Sequence, residues 1–156
     1  MLASNLIDGL KRLPDLRAAI EALGLFLLVI GAGVWAVYSG VLVLKPIESS
    51  QELLLISVVA FVMPALGEEL LFRGWVRRGA PIGAVLSLLM FILWHPVQYM
   101  AGSPFARPEF MDAGFLSLVS WLGLACTLSR IRSGSIWPGV VIHWGAAVIW
   151  KALFAG

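Results

Sequence analysis

Glu68, Glu69 and Arg73 stand inside a run that is otherwise apolar from Leu53 to Val76, and their types and spacing could do chemistry. On an insertion scale each charged residue at the centre of a membrane helix costs about 2.5–3.5 kcal/mol, whereas each Leu, Ile, Phe or Val returns only ~0.3–0.6. Thirteen such apolar residues between Leu53 and Val76 therefore offset roughly 4–8 kcal/mol against roughly 7.5–10.5 for the three charges. The segment persists only if its carboxylates face a bundle interior or a wet cavity and find partners there, which makes them functional candidates.

On a helix Glu69 and Arg73 are four apart, one above the other, with the acid nearer the N-terminus as the favourable order requires. Glu68 points about 100° away from that pair. Glu69 can therefore neutralise Arg73, while Glu68 has no counter-charge on its own helix and is free to act as a general base. A bland alternative is a glutamate pair that pins helices together through Arg73. The chain has two histidines, His95 and His143, both inside apolar runs. One buried histidine alone reads as a satisfied core residue. Two of them, together with an unpaired glutamate in so small a bundle, can supply one another's hydrogen bonds.

These residues need a membrane scaffold to position them. Sixty per cent apolar residues against 13% charged and a mean hydropathy of +0.94 exclude a water-soluble core for the 156-residue chain. The formal charge of +2 is small and its basic residues are scattered, so no nucleic-acid partner is expected. The single cysteine, Cys126, cannot form an internal disulfide and suits inert packing. No secretory signal is expected: the first long apolar run is too long for one and no small-x-small cleavage site follows it.

The fold expected is an all-α polytopic bundle, one domain over residues 1–156 with about five spans and an N-terminal interfacial helix. Leu2, Leu6, Leu10, Leu13 and Leu16, with charges between them, predict a surface helix over 1–20, bent near Pro14. Spans are expected at about 21–44, 52–77, 81–100, 113–129 and 136–150. Ala32, Ala36 and Gly40 give the first a smooth stripe for helix contact. Pro64 and Gly67 permit a kink in the second. In the third, Pro96 biases His95 away from ideal helical geometry, and tilt or a kink there must bring His95 level with Glu68. Trp75, Trp137 and Trp150, near span ends, suit an interfacial aromatic belt. Lys11, Arg12, Arg17, Arg77, Arg78, Arg130 and Arg132 fall on one side of the membrane and Lys45, Arg107 and Lys151 on the other, which orients the N-terminus to the cytoplasm and the C-terminus outside.

With those residues in place, the chain resembles the CPBP intramembrane proteases, the CAAX protease and bacteriocin-processing (Abi) family. Glu68-Glu69-Leu70-Leu71-Phe72-Arg73 matches the family's first motif and Phe91-Ile92-Leu93-Trp94-His95 its second. Gly134-Ser135-Ile136-Trp137-Pro138, leading to His143, is similar to the approach to its third. The resemblance covers about Leu53 to Ala152. It implies that Glu68 with His95 activates a water for attack on a scissile peptide, that His143 binds the oxyanion, and that Glu69 and Arg73 organise the first motif. The third motif departs from the family at its end, where Ala147 replaces asparagine. Loss of one oxyanion donor costs about 10²–10³ in rate; Trp144, Gln98 or a backbone N–H are the candidates to replace it.

Zinc is the open cofactor question. Glu68, His95 and His143 could ligate it and leave a position for water, but that would consume the obvious base, so a metal-free glutamate mechanism is preferred. The implied substrate is a membrane-anchored or lipid-modified protein or peptide that enters laterally from the bilayer of a bacterial inner membrane. The oligomeric state is not legible. Two other functions fit the same residues: a catalytically impaired member that binds a membrane peptide as an immunity or scaffold protein, and a small transporter subunit whose Glu68 and histidines relay protons.

Overall fold

The computed structural model describes residues 2–47, 49–104 and 106–154, and among them it is all helical, with no strand. The first helix, α1 (Leu2–Lys11), stops short of Pro14. Residues 12–15 are not helical, so the expected bend is a complete break. Asp15 then caps α2 (Leu16–Tyr38), its carboxylate accepting from the Ala18 N–H at 2.8 Å. Leu2 lies in α1, but its side chain falls outside the described residues.

The first span thus starts five residues earlier than expected and ends at Tyr38. Gly40 is exposed at φ 75, beyond the helix, so it does not extend the small-residue stripe. The buried face of α2 is Ala18, Ala22, Val29 and Ala36. The connection that follows pairs with the far end of the chain. Lys45 and Ile47 donate backbone N–H bonds to the carbonyls of Leu153 (2.7 Å) and Ala152 (2.9 Å), which as last-turn groups have no helical donor of their own.

The second span is broken as well. Ser49 caps α3 (Ser50–Ala60), a π-helical segment follows over Phe61–Leu66, and α4 (Gly67–Arg73) completes it. Met63, with φ −138 and ψ 120, leaves helical geometry just before Pro64. The kink expected from proline therefore falls one turn ahead of the glutamates. The helix ends at Arg73 rather than Arg77, with Arg77, Arg78 and Gly79 in the exposed turn to α5.

Pro81 opens α5 (Pro81–Met100) at a position where its missing N–H costs nothing. This helix runs unbroken through His95-Pro96, contrary to the expected distortion there. The imidazole of His95 bonds back to the Phe91 carbonyl at 3.0 Å. After a 3₁₀ turn at Pro108–Met111, Asp112 caps α6 (Ala113–Ser133) by accepting from Phe115 N–H at 2.9 Å. Gly134, at φ 73, terminates α6 in the left-handed region that glycine occupies freely, and α7 (Trp137–Phe154) follows.

Four stretches are long and apolar enough to cross a membrane: Leu16–Tyr38, Ser50–Arg73, Pro81–Met100 and Ala113–Ser133. The fifth expected span, α7, has 18 residues, about 27 Å at 1.5 Å per residue, and packs against α2, α3, the π-helical segment and α6. Enclosure on so many sides explains why it tolerates His143 and several small residues. The molecule is inside-out relative to a soluble protein. Leu27, Leu28, Leu54, Leu55, Leu86 and Leu93 are exposed, while Glu68, Glu69, Arg73, His95, Arg130 and His143 are buried. It is a polytopic all-α bundle and an integral membrane protein.

Two of the tryptophans expected in the interfacial belt are half-buried against other elements. Trp137 donates its indole N–H to the Leu10 carbonyl at 2.8 Å, and Trp150 packs edge-on against Phe115 with ring centroids 5.0 Å apart. Leu10 packs with Ile136 and Val140, so α1 is docked on the end of the bundle. Its carbonyls hold it there: Gly9 accepts from Ile136 N–H at 3.1 Å, and Asn5 from the Arg130 guanidinium at 3.0 Å.

Candidate active site

The site is built from α4, α5, α6 and α7. Arg73 is fully buried, and its guanidinium meets four groups at once. Nη1 donates to Glu69 Oε1 at 3.0 Å, Nη2 to the Gly123 carbonyl at 3.1 Å, and Nε reaches Thr127 Oγ1 at 3.4 Å. The Phe91 ring lies under the guanidinium carbon, 4.1 Å from its centroid, a cation–π contact that is strong when desolvated. A buried arginine so fully engaged is an anchor. It fixes Glu69, and Glu69 in turn fixes a histidine.

That histidine is His143. Its Nδ1 lies 3.0 Å from Glu69 Oε1, so the carboxylate accepts the Nδ1 proton and sets the ring's orientation. Nε2 then faces Glu68, 3.9 Å from Oε2. Glu68 Oε2 is buried and accepts no hydrogen bond from a protein donor among the described residues. Arg73 and His143 share Oε1 of Glu69, and each of the two acids keeps its Oε2 buried without a hydrogen bond among the described residues; what sets them apart is that Glu68 has neither the arginine nor the Nδ1 contact.

His95 lies on the other side of Phe91. Both imidazoles pack edge-on against that ring, His95 with centroids 5.2 Å apart and His143 with 5.5 Å. The His95 Nδ1 bond to the Phe91 carbonyl needs a proton on Nδ1, because a carbonyl can only accept, so in this hydrogen-bonded arrangement Nε2 carries the lone pair. Phe110 and Phe115 close around it at 5.1 and 5.7 Å. Phe91 is thus the wedge between the two histidines and the floor beneath Arg73. No hydrogen bond joins His95 to Glu68 among those described.

In this conformation the three groups are nearly closed off from the molecular surface. Glu68, His95 and His143 are only 6%, 8% and 3% exposed, because aromatic rings from α5, α6 and the 3₁₀ turn fill the space beside them. Among the described residues no three His, Cys, Asp or Glu side chains converge as a metal-binding group. Nor does Trp144 replace the amide absent at Ala147. It is turned toward α3 and donates to the Ser57 carbonyl at 2.8 Å. Ala147 itself is half-buried, one turn beyond His143 on the same face of α7.

Several residues of the site were silent in the sequence. Gly139 lets α7 approach so closely that a Cβ there would sit 2.9 Å from Glu69 Oε2. Arg130, counted as a loop charge, is 3% exposed; it donates to the carbonyls of Arg73 (3.1 Å), Asn5 (3.0 Å) and Gly134, tying the end of α4 to α1 and the α6–α7 turn. Cys126 is fully buried, with its thiol against the Gly139 carbonyl, in keeping with inert packing.

Among known proteins, the family described as type II CAAX prenyl endopeptidase Rce1-like matches residues 50–149, from the start of α3 to within α7. No curated protein and no solved structure matches the chain. The matched stretch holds Glu68, Glu69, Arg73, Phe91, His95 and His143, and leaves α1 and α2 outside it. On that match over most of its length, the chain belongs to the type II CAAX prenyl endopeptidase Rce1-like family and is an intramembrane endopeptidase of the CAAX type.

Proposed function

We propose that the protein hydrolyses a peptide bond near the end of a membrane-anchored or lipid-modified partner by a metal-free glutamate mechanism. The observation that carries this is the buried, unbonded Oε2 of Glu68, 3.9 Å from the Nε2 of an imidazole whose other nitrogen is already fixed by Glu69. Glu68 takes a proton from water and the resulting hydroxide attacks the scissile carbonyl, with the lone pair of His95 Nε2 helping to orient that water. The oxyanion is stabilised by His143, for which Nε2 must carry a proton. Glu68 then returns its proton to the leaving amine. Glu69 and Arg73 touch no reacting atom; they position His143.

The substrate enters from the lipid between helices, and the site opens to admit it, since all three reacting groups are buried in the closed form. The family's description makes a prenylated C-terminus the first substrate to test, beside partners with a short membrane tail. The charge bias supports a bacterial inner membrane orientation with the N-terminus cytoplasmic and the C-terminus outside. The test is cleavage of a co-expressed membrane partner by purified protein, with Glu68→Ala, His95→Ala and His143→Ala compared with the parent. Each should abolish cleavage while the protein still folds; normal cleavage by all three overturns the mechanism. Exhaustive chelation should leave the rate unchanged, and a loss restored by zinc would reverse the metal-free assignment.

A further inference from the structure

A second polar site lies at one end of the bundle, a cleft of about 360 Å³ whose charged lining is Arg12, Arg17, Arg78, Arg132, Asp15 and Glu21. Four cations face two carboxylates, and both carboxylates are committed. Glu21 Oε1 holds Arg17 and Arg132, each at 3.2 Å, and Asp15 caps α2 through the Ala18 N–H. Arg12 and Arg78 are in no ion pair among the described residues. Their stems nevertheless converge over one point: the Cδ atoms of Arg78 and Arg12 would lie 3.3 and 3.4 Å from a Cβ on Gly134. The next guanidinium, Arg130, feels Arg12 as well as Asp8, and it is spent on backbone carbonyls.

Two arginines whose stems converge, neither in an ion pair among the described residues, favour an anion between them, and a pair of guanidinium forks matches phosphate oxygens. Position identifies its source. The cleft is bounded by the start of α2, the turn that precedes α5 and the end of α6, which are the ends of three membrane-spanning helices. That is the level at which a bilayer carries its phosphodiesters. A zwitterionic headgroup would also need a carboxylate for its ammonium, and neither Asp15 nor Glu21 is free.

We propose that this cleft, through Arg12 and Arg78, is a binding site for the phosphate of an anionic phospholipid such as phosphatidylglycerol. It stands apart from the peptidase site and does not depend on that chemistry. The full-length protein in detergent is titrated with phosphatidylglycerol, phosphatidylcholine and inorganic phosphate, followed by native mass spectrometry and by thermal unfolding. Phosphatidylglycerol should be retained and should raise the unfolding midpoint, while phosphatidylcholine and inorganic phosphate at matched ionic strength should do neither. The Arg12→Gln/Arg78→Gln double variant should lose about tenfold or more in phosphatidylglycerol affinity, with its lipid-free midpoint and peptidase activity unchanged; Arg107→Gln, outside the cleft, should bind as the parent does. Equal binding of the two lipids, inorganic phosphate that competes as well as the lipid, or a double variant that retains its affinity within about twofold overturns the assignment.

Discussion

Oε1 of Glu69 receives both Nη1 of Arg73 and Nδ1 of His143, each at 3.0 Å, so a single carboxylate oxygen links the second span to the last helix. The two neighbouring glutamates should therefore fail in different ways. Glu69→Gln leaves the fully buried Arg73 without its counter-charge, which costs about 3–5 kcal/mol when one partner of a buried pair is removed. Thermal unfolding in detergent should show that loss, along with reduced cleavage. Glu68→Gln keeps the side chain's size and polarity and removes only the proton-accepting carboxylate. It should unfold within about 1 kcal/mol of the parent and cleave nothing; the reverse pattern would exchange the roles of the two acids.

Arg130 should matter for assembly at a distance from the chemistry. Its guanidinium satisfies three carbonyls from three segments, so Arg130→Leu strands buried acceptors at about 1–3 kcal/mol each. Arg130→Lys should recover little, because an ammonium cannot span the same fork. The readout is limited proteolysis: tryptic cleavage at Lys11 and Arg12 should quicken in both variants as α1 loosens from the bundle. Unchanged protection would mean that the remaining contacts of Leu10 and Ile136 hold α1 alone.

The charges in apolar sequence were legible because their cost is large and local: Glu68, Glu69, Arg73, His95 and His143 each demand a reason wherever the helices lie. The fold class followed from the same composition. Less legible was which side of the balance a residue would join. Trp137 and Arg130 carry the composition of an interface, yet the docked α1 accepts a bond from each and leaves Arg130 buried and Trp137 half-buried, a tertiary event with no local signature. Pro64 breaks its helix and Pro96 does not, although both sit in apolar runs, so the residue type alone does not tell a kink from a continuous helix. The closed state of the site depends on Phe110 and Phe115 meeting His95, contacts between segments far from the histidine in sequence.

Gly139 tests how tightly Glu69 must be held. A methyl group there would begin 2.9 Å from Glu69 Oε2, within contact distance of a carboxylate that already has two partners. Gly139→Ala should push α7 or the carboxylate aside at a cost of about 1–3 kcal/mol and rotate His143 away from Glu68. Cleavage should fall by about 10²-fold, the penalty of an ångström-scale misplacement of a reacting group. Parental kcat with raised KM would instead mean that the backbone absorbs the strain and only substrate entry suffers.

Ala147 tests whether the oxyanion site is complete. It lies one turn beyond His143 on the same helical face and is half-buried, while Trp144, the nearest alternative donor on α7, is occupied by the Ser57 carbonyl. Ala147→Asn adds an amide N–H beside the imidazole that would bind the oxyanion, and a restored donor is worth up to about 10²–10³ in rate. Activity should be equal or higher, with any gain in kcat rather than KM, because the donor acts on charge that develops only in the transition state. Abolished activity in a variant that still folds would show that another group, such as a backbone N–H exposed on opening, already fills that position and that asparagine displaces it.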